Sequence, residues 1–319
     1  YFINENVKPY WNELLELAYS WNNRIDSIVV RKQAKKLLQE FFQDSGVRDW
    51  GQEYDISSYQ LDNGGIALLP YDSADPVLTA KICSLNDSDF DYDLMVKYFN
   101  GVMYDDSATS THIAASYWGL ACLREPVLLE LNELAKTPDL KLIDKLYIAL
   151  AYAYAGDIDT ANSMYREMVQ SYMKEDSLRA YITMEDEGYD SDDIQEATSL
   201  CALLAQKVNG AERDKLFEFV KNMYTTDILT GAIRLNYIKS NLKNLNLESS
   251  FTWELDGKKE TVTIKGRDTY SMFLTAEKLK NIRFSNVKGK VTVSAVYSAP
   301  IGEVAAIDNR ISITRTYSD

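Results

Sequence analysis

The hydrophobic pattern of this chain changes period once, near Leu247, and that change limits the available folds more than any other feature. Before Leu247 apolar residues recur at spacings of three and four, as in "WNELLELAYSW", "VVRKQAKKLLQEFF", "LIDKLYIALAYAYAG" and "AERDKLFEFVKNMY". That is the spacing of one face of an α-helix. After Leu247 the period is two. "SSFTWELDGKKETVTI" alternates on both sides of Asp256-Gly257, a hairpin signal, and "NIRFSN", "KGKVTVSAVYSA" and "NRISITRTY" read as further strands. The expected organisation is a helical domain over 1–247 and a small antiparallel β segment over 248–319.

The helices alternate in character. "HIAASYWGLACL", "LYIALAYAYAG" and "EATSLCALLAQ" are apolar on every side, whereas "YREMVQSYM" and "RDKLFEFVKNM" carry charge along one face. A helix apolar all round is buried and an amphipathic one is external. The apolar type recurs near Leu78, Thr111, Leu146, Ile194 and Asp227. Inner and outer helices therefore alternate, either stacked in an open array or closed into a ring. Asp157 and Asp159, Asp190 and Ser191, and Thr225, Thr226 and Asp227 stand where helix N-caps are needed. "LYIALAYAYAGDIDTANSMYREMV" by itself suits a tetratricopeptide unit, but the other pairs do not keep its period.

Composition excludes several functions. The 319 residues carry 34 Lys and Arg against 48 Asp and Glu, a net charge of -14. Such a surface repels phosphate, so nucleic acid is not an expected partner. No apolar run reaches the ~20 residues of a membrane helix. Cys83, Cys122 and Cys201 lie in apolar helical contexts and read as buried, inert thiols. With one histidine and no paired-cysteine pattern, neither a zinc site nor a cofactor site is expected. His112 heads an apolar helix, where a hydrogen-bonded structural role is the better reading, and no Gly-x-Ser-x-Gly elbow accompanies it. The acidic clusters at 87–93 and 185–193 precede helices, whose dipoles favour carboxylates there. Many of the 22 tyrosines, Tyr152, Tyr154, Tyr165, Tyr172, Tyr181 and Tyr189 among them, fall on helices and loops, suited to packing and to protein surfaces.

One stretch, "SYQLDNGGIALLPYDSADPVLTAK", joins a Gln, a double-Gly turn, a Pro-punctuated loop and a helix start. Gln60, Asp62, Gly64, Gly65, Leu78, Thr79 and Ala80 resemble the Gln-x-x-Asp-Gly-Gly…Leu-Thr-Ala segment of the thioester-containing (complement-type) domain of α-macroglobulins, with Asn63 inserted. Thr226 and Asp227 resemble that family's lead into its last inner helix, with Ile228 where Thr is common. Arg315 and Tyr317 match the end of the strand that leads onward from the family's β segment. The resemblance implies an α/α toroid of about six helical hairpins, embedded among macroglobulin-type β domains.

It also implies chemistry that this chain lacks. Active members carry Cys-x-Glu-Gln, whose Cys sulfur and Gln carbonyl close an internal thioester; "NRIDSIVVRKQAKKLL", around Ile25 to Lys32, is where the motif would sit, and it holds no Cys. Loss of the motif is the expectation, the alternative being a position upstream of Tyr1. The resulting expectation is a non-catalytic domain of an exported bacterial α-macroglobulin-like protein, extracellular or at the cell surface. It would serve protease trapping or surface binding, with proteases or other proteins and the flanking domains of its own chain as partners. The alternatives are an α/α-toroid enzyme, terpene-cyclase-like or polysaccharide-active, which needs a deep acidic cavity, and a helical-repeat scaffold, which needs an open superhelix.

Overall fold

A computed structural model describes residues 2–4, 7–19, 23–42, 56–85, 89–183, 190–222, 231–245, 248–266 and 268–293. The chain divides into two compact units: Asn6–Leu247, and Tyr1–Glu5 together with Glu248–Asp319.

The larger unit is helical. In chain order its helices are α1 (Lys8–Ala18), α2 (Ile25–Phe42), α3 (Pro76–Leu85), α4 (Tyr92–Met103), α5 (Ser110–Cys122), α6 (Leu128–Leu134), α7 (Leu142–Ala155), α8 (Ile158–Tyr172), α9 (Ser191–Val208), α10 (Arg213–Asn222) and α11 (Gly231–Asn244). Six of them form an inner ring. α2 packs on α3, α3 on α5, α5 on α7, α7 on α9 and α9 on α11, and α11 returns onto both α2 and α3. The ring is closed, as a toroid requires. α1, α4, α6, α8 and α10 lie outside against their inner neighbours.

Sequence chemistry places these helices. The inner members bury more than half of their residues, and in α7 Leu146 to Ala151 are all fully enclosed. Asp91, Asp157 and Asp190 each cap a helix with a side-chain carboxylate, accepting from the backbone N–H of Leu94, Thr160 and Asp193 respectively. Both acidic clusters thus supply a cap. Tyrosine hydroxyls tie helices together once their rings are buried. Tyr152 on α7 donates to Asn132 on α6 at 2.9 Å, and Tyr237 on α11 donates to the Arg213 carbonyl on α10 at 2.8 Å. A short hairpin, β2 (Met173–Glu175) and β3 (Ala180–Ile182), joins α8 to α9 and was not legible in the sequence.

The smaller unit is antiparallel throughout. β4 (Glu248–Leu255) and β5 (Lys258–Lys265) form the expected hairpin, with Asp256 and Gly257 both at positive φ, the geometry of a type I′ turn. β7 (Arg283–Lys288) pairs with β4 on its other side. β1 (Phe2–Asn4) lies between β6 (Thr269–Tyr270) and β8 (Val291–Val293). Helix α12 (Ala276–Asn281) precedes β7. A core of Phe251, Trp253, Val262 and Ile264 sits on one face of the hairpin, where the alternation places it. The chain is therefore mainly α, a helical ring with a small antiparallel β unit. The strand expected at 309–317, with Arg315 and Tyr317, lies outside the described residues.

Candidate functional site

The Gln60–Ala80 stretch folds back on itself as a clamp. Gln60 and Ile66 form an antiparallel bridge, and Ala67 and Ala74 another. The Gln60 amide donates to the Gly64 carbonyl at 3.2 Å and to the Asp91 carbonyl at 2.9 Å, while its Oε1 accepts from the Asp91 N–H at 2.8 Å. One side chain thus closes its own turn and holds the N-cap of α4. Gly64 has φ +89°, and a Cβ there would fall 2.0 Å from the Leu94 carbonyl oxygen. Only glycine fits. At Gly65 a Cβ would strike the Tyr98 ring at 2.5 Å, so the turn lies flat on α4.

The other end of the clamp is the start of α3. The helix begins at Pro76, two residues before Leu78, with the Asp75 carboxylate accepting from the Leu78 N–H at 2.7 Å. Thr79 is fully buried; its hydroxyl donates to the Asp75 carbonyl at 2.7 Å and accepts from the Ile66 N–H at 2.9 Å. Leu78 and Ala80 are core residues, and Asp62 is exposed. The structure therefore joins Gln60, Gly64, Gly65 and Thr79 in one connector and leaves Asp62 at its rim. Thr226 and Asp227 lie outside the described residues.

Beyond the clamp the interior of the ring carries a charged layer that the sequence reading missed. Lys81, Tyr147 and Glu196 are each the sixth residue of their helix, α3, α7 and α9. Three inner helices running the same way bring them to one level. The Lys81 ammonium, 1 % exposed, sits 2.6 Å from Glu196 Oε1, and the buried Tyr147 hydroxyl donates to the same oxygen at 2.7 Å. Burial pushes the Glu196 carboxyl up, but the Lys81 charge and the hydrogen bonds from Lys81 and Tyr147 outweigh it and hold it below the usual range. Burial, with the Glu196 charge behind it, pushes the Tyr147 phenol well up. Glu196 is thus held as a carboxylate and Tyr147 as a neutral phenol. The available signal was a lysine inside the apolar run "PVLTAKICSL".

The α2 N-terminus, where the resemblance would put a thioester, reads Arg24-Ile25-Asp26-Ser27. Buried Asp26 accepts from Arg24 at 3.0 Å and from the Ser27 N–H at 2.8 Å. On α7 the fully buried Asp144 accepts from the Ser110 and Thr111 hydroxyls of α5, at 2.7 and 2.6 Å. Carboxylates at these ring positions meet the positive ends of helix dipoles. His112 is the third residue of α5, its backbone N–H donating to the Thr109 hydroxyl cap at 3.2 Å. Cys83 and Cys201 are buried and Cys122 is half-buried, so the expectation of three buried thiols is met at two positions. Burial raises the pKa of all three thiols, which keeps them protonated and poorly nucleophilic. Among the described residues, no group of three or more His, Cys, Asp and Glu side chains gathers as a metal site, and no helix is long and apolar enough to cross a membrane.

Fold and site together define a closed α/α ring with a Gln-anchored connector and an ion-paired layer in its interior. No protein-family model and no curated protein matches the sequence. Among solved structures it is similar to native α2-macroglobulin from Escherichia coli, spanning domain MG7 to the C-terminus, at 14 % identity and a TM-score of 0.48. That match covers 91 % of this chain and 50 % of the other, so the chain spans about half the length of the structure it matches.

Proposed function

We propose that this chain is a non-catalytic, protein-binding ring module of an exported α-macroglobulin-like protein that works without thioester chemistry. In this reading residues 1–247 are the thioester-type domain and 248–319 belong to a flanking β domain, to which strand β1 is joined. Its partners are proteases or other proteins, and its place is extracellular or at the cell surface.

The observation that carries the reading is the ion-paired layer inside the ring. An α/α-toroid enzyme places its substrate in the central cavity and lines it with acids. Here Lys81 and Tyr147 both bond Glu196 inside the ring, and the fully buried Trp118 stacks on Tyr147. Closure of α11 onto α2 and α3 speaks against an open superhelical scaffold. The Gln60 clamp and the Thr79 anchor supply the motif residues of the resemblance with a structural purpose that needs no reactive centre.

The test has two parts. Intact mass after methylamine treatment should be unchanged, because a thioester would acquire the amine; an adduct overturns the loss of that chemistry. With active-site-blocked proteases on a sizing column, co-elution that dissociates under denaturing conditions is expected. Covalent capture, or failure to bind any protease or surface protein in the full-length chain, overturns the proposal.

A further inference from the structure

Towards the C-terminal ends of α2, α9 and α11 the helical ring gathers lysines. Lys239 and Lys243 stand one turn apart on α11, which packs on both α2 and α9. Lys207 lies in the last turn of α9, its ammonium 3.7 Å over the Tyr154 ring, and Lys36 lies on α2. Their charges act on one another. Burial lowers the pKa of half-buried Lys239, and the charges of Lys243 and Lys36 lower it further, with Glu40 on α2 opposing. Burial also lowers that of Lys207, with the Cys122 thiol opposing and the Lys243 charge adding to it.

Among the described residues none of these four ammonium groups holds a carboxylate. Lys81, Lys215 and Lys221, by contrast, each hold one, at 2.6, 2.7 and 2.7 Å. With 48 acidic residues against 34 basic ones, carboxylates are plentiful in this chain, yet these lysines face one another. Like charges one turn apart on a helix, as at Lys239 and Lys243, are destabilising. Helix dipoles account for Lys207 and Lys243, which lie in last turns, but not for Lys239 or Lys36.

An anion seated among the four would offset that repulsion. Lysine is a compact point charge that suits phosphate, whereas the arginine fork is the better match to a carboxylate. Several ammonium groups in one place favour a compact group with more than one charge. The net charge of -14 does not forbid it, because at physiological salt charges more than ~8 Å away are largely screened.

We propose that Lys36, Lys207, Lys239 and Lys243 form a binding site for a phosphate group carrying two or more negative charges. Tyr154 holds Lys207 in place, and Lys239, already partly withdrawn from water, gives up little more on binding. A soluble phosphate and a lipid headgroup share this chemistry. The site needs neither the Gln60 clamp nor the Lys81–Glu196 layer, so its failure would leave the protein-binding reading untouched.

Isothermal titration calorimetry of the whole chain with sodium pyrophosphate tests the site. Saturable binding with Kd at or below about 1 mM is expected, weakening as salt rises. The double variant Lys239→Gln, Lys243→Gln should bind at least about tenfold more weakly, while exposed Lys97→Gln on α4 should bind as the parent does. Without pyrophosphate the double variant should melt no lower than the parent, since it loses a like-charge pair. Sedimentation with vesicles of equimolar phosphatidylcholine and phosphatidic acid, reversed by pyrophosphate, assigns the group to a lipid headgroup. Pyrophosphate binding without sedimentation assigns it to a soluble phosphate. No saturable binding, an unchanged affinity in the double variant, or an equal loss in Lys97→Gln overturns the proposal. A tri-glutamate peptide that binds as tightly as pyrophosphate would make this a carboxylate site and overturn it too.

Discussion

The ring and the sheet unit solve the same problem, burial of apolar surface, with very different depth. The ring has a continuous core running from Val7 to Leu242, and it encloses Lys81, Asp26 and Asp144 among its helices. The sheet unit buries four large side chains, Phe251, Trp253, Val262 and Ile264, and every residue of β7 is exposed. A large interior gives a charged layer the surroundings to be fully bonded. A thin one keeps its charges at the edge, as Lys265 with Glu248 and Lys278 with Asp256 do. The first kind of pair fixes helix register, whereas the second contributes at most ~1 kcal/mol.

Substitutions centred on Glu196, Trp253 and Gln60 would break or sharpen that contrast. The largest effect is expected from Glu196→Leu, which strands the Lys81 ammonium 1 % exposed with no carboxylate. Breaking a buried pair in this way costs about 3–5 kcal/mol, and the loss should appear in the helical far-ultraviolet CD signal. Glu196→Leu with Lys81→Met together should recover much of it. The pH dependence follows from the same group. The folded carboxyl lies below its unfolded value, so its contribution is complete above that unfolded value of about 4.5. It is lost as pH falls through the lower, folded value. Glu196→Gln should flatten that acid limb of a thermal-stability profile; an unchanged limb would assign the acid sensitivity to other carboxylates.

A somewhat smaller effect, about 3 kcal/mol, is expected from Trp253→Ala. It removes the bulk of the sheet unit's core and the indole hydrogen bond to the Tyr270 hydroxyl at 3.0 Å. Hydrogen exchange should accelerate in β4 and β5 while α5, α7 and α9 stay protected. Equal acceleration in the ring would mean that the two units unfold as one.

The smallest effect is expected from Gln60→Ala, which deletes three hydrogen bonds at a partly exposed side chain. A loss of about 1–2 kcal/mol, confined in hydrogen exchange to the connector and the first turn of α4, would mark Gln60 as a local clamp. A change in protein binding without that loss would instead make it a contact residue.

Legibility in the sequence followed the range of the interaction. The caps Asp91, Asp157 and Asp190 and the Asp256-Gly257 turn could be read directly, because each acts on backbone within a few residues. The clamp was half legible. Its glycines announced a turn, but the partner of Gln60 is Asp91, 31 residues away.

The sequence by itself determined the kinds of element and their inner or outer character, because hydrophobic period and helix caps are local physics. It also determined that no cysteine stands in the stretch Ile25 to Lys32 where a thioester would be sought. Only the tertiary structure decided that the array closes through α11 onto α2 and α3. The Lys81–Glu196 pair spans 115 residues, and the hydrogen bond from Ser249 to Asn4 within the sheet unit spans 245. Partners at such separations are chosen by the packing of whole helices and strands, and a buried charge reveals its purpose only when the groups around it are known.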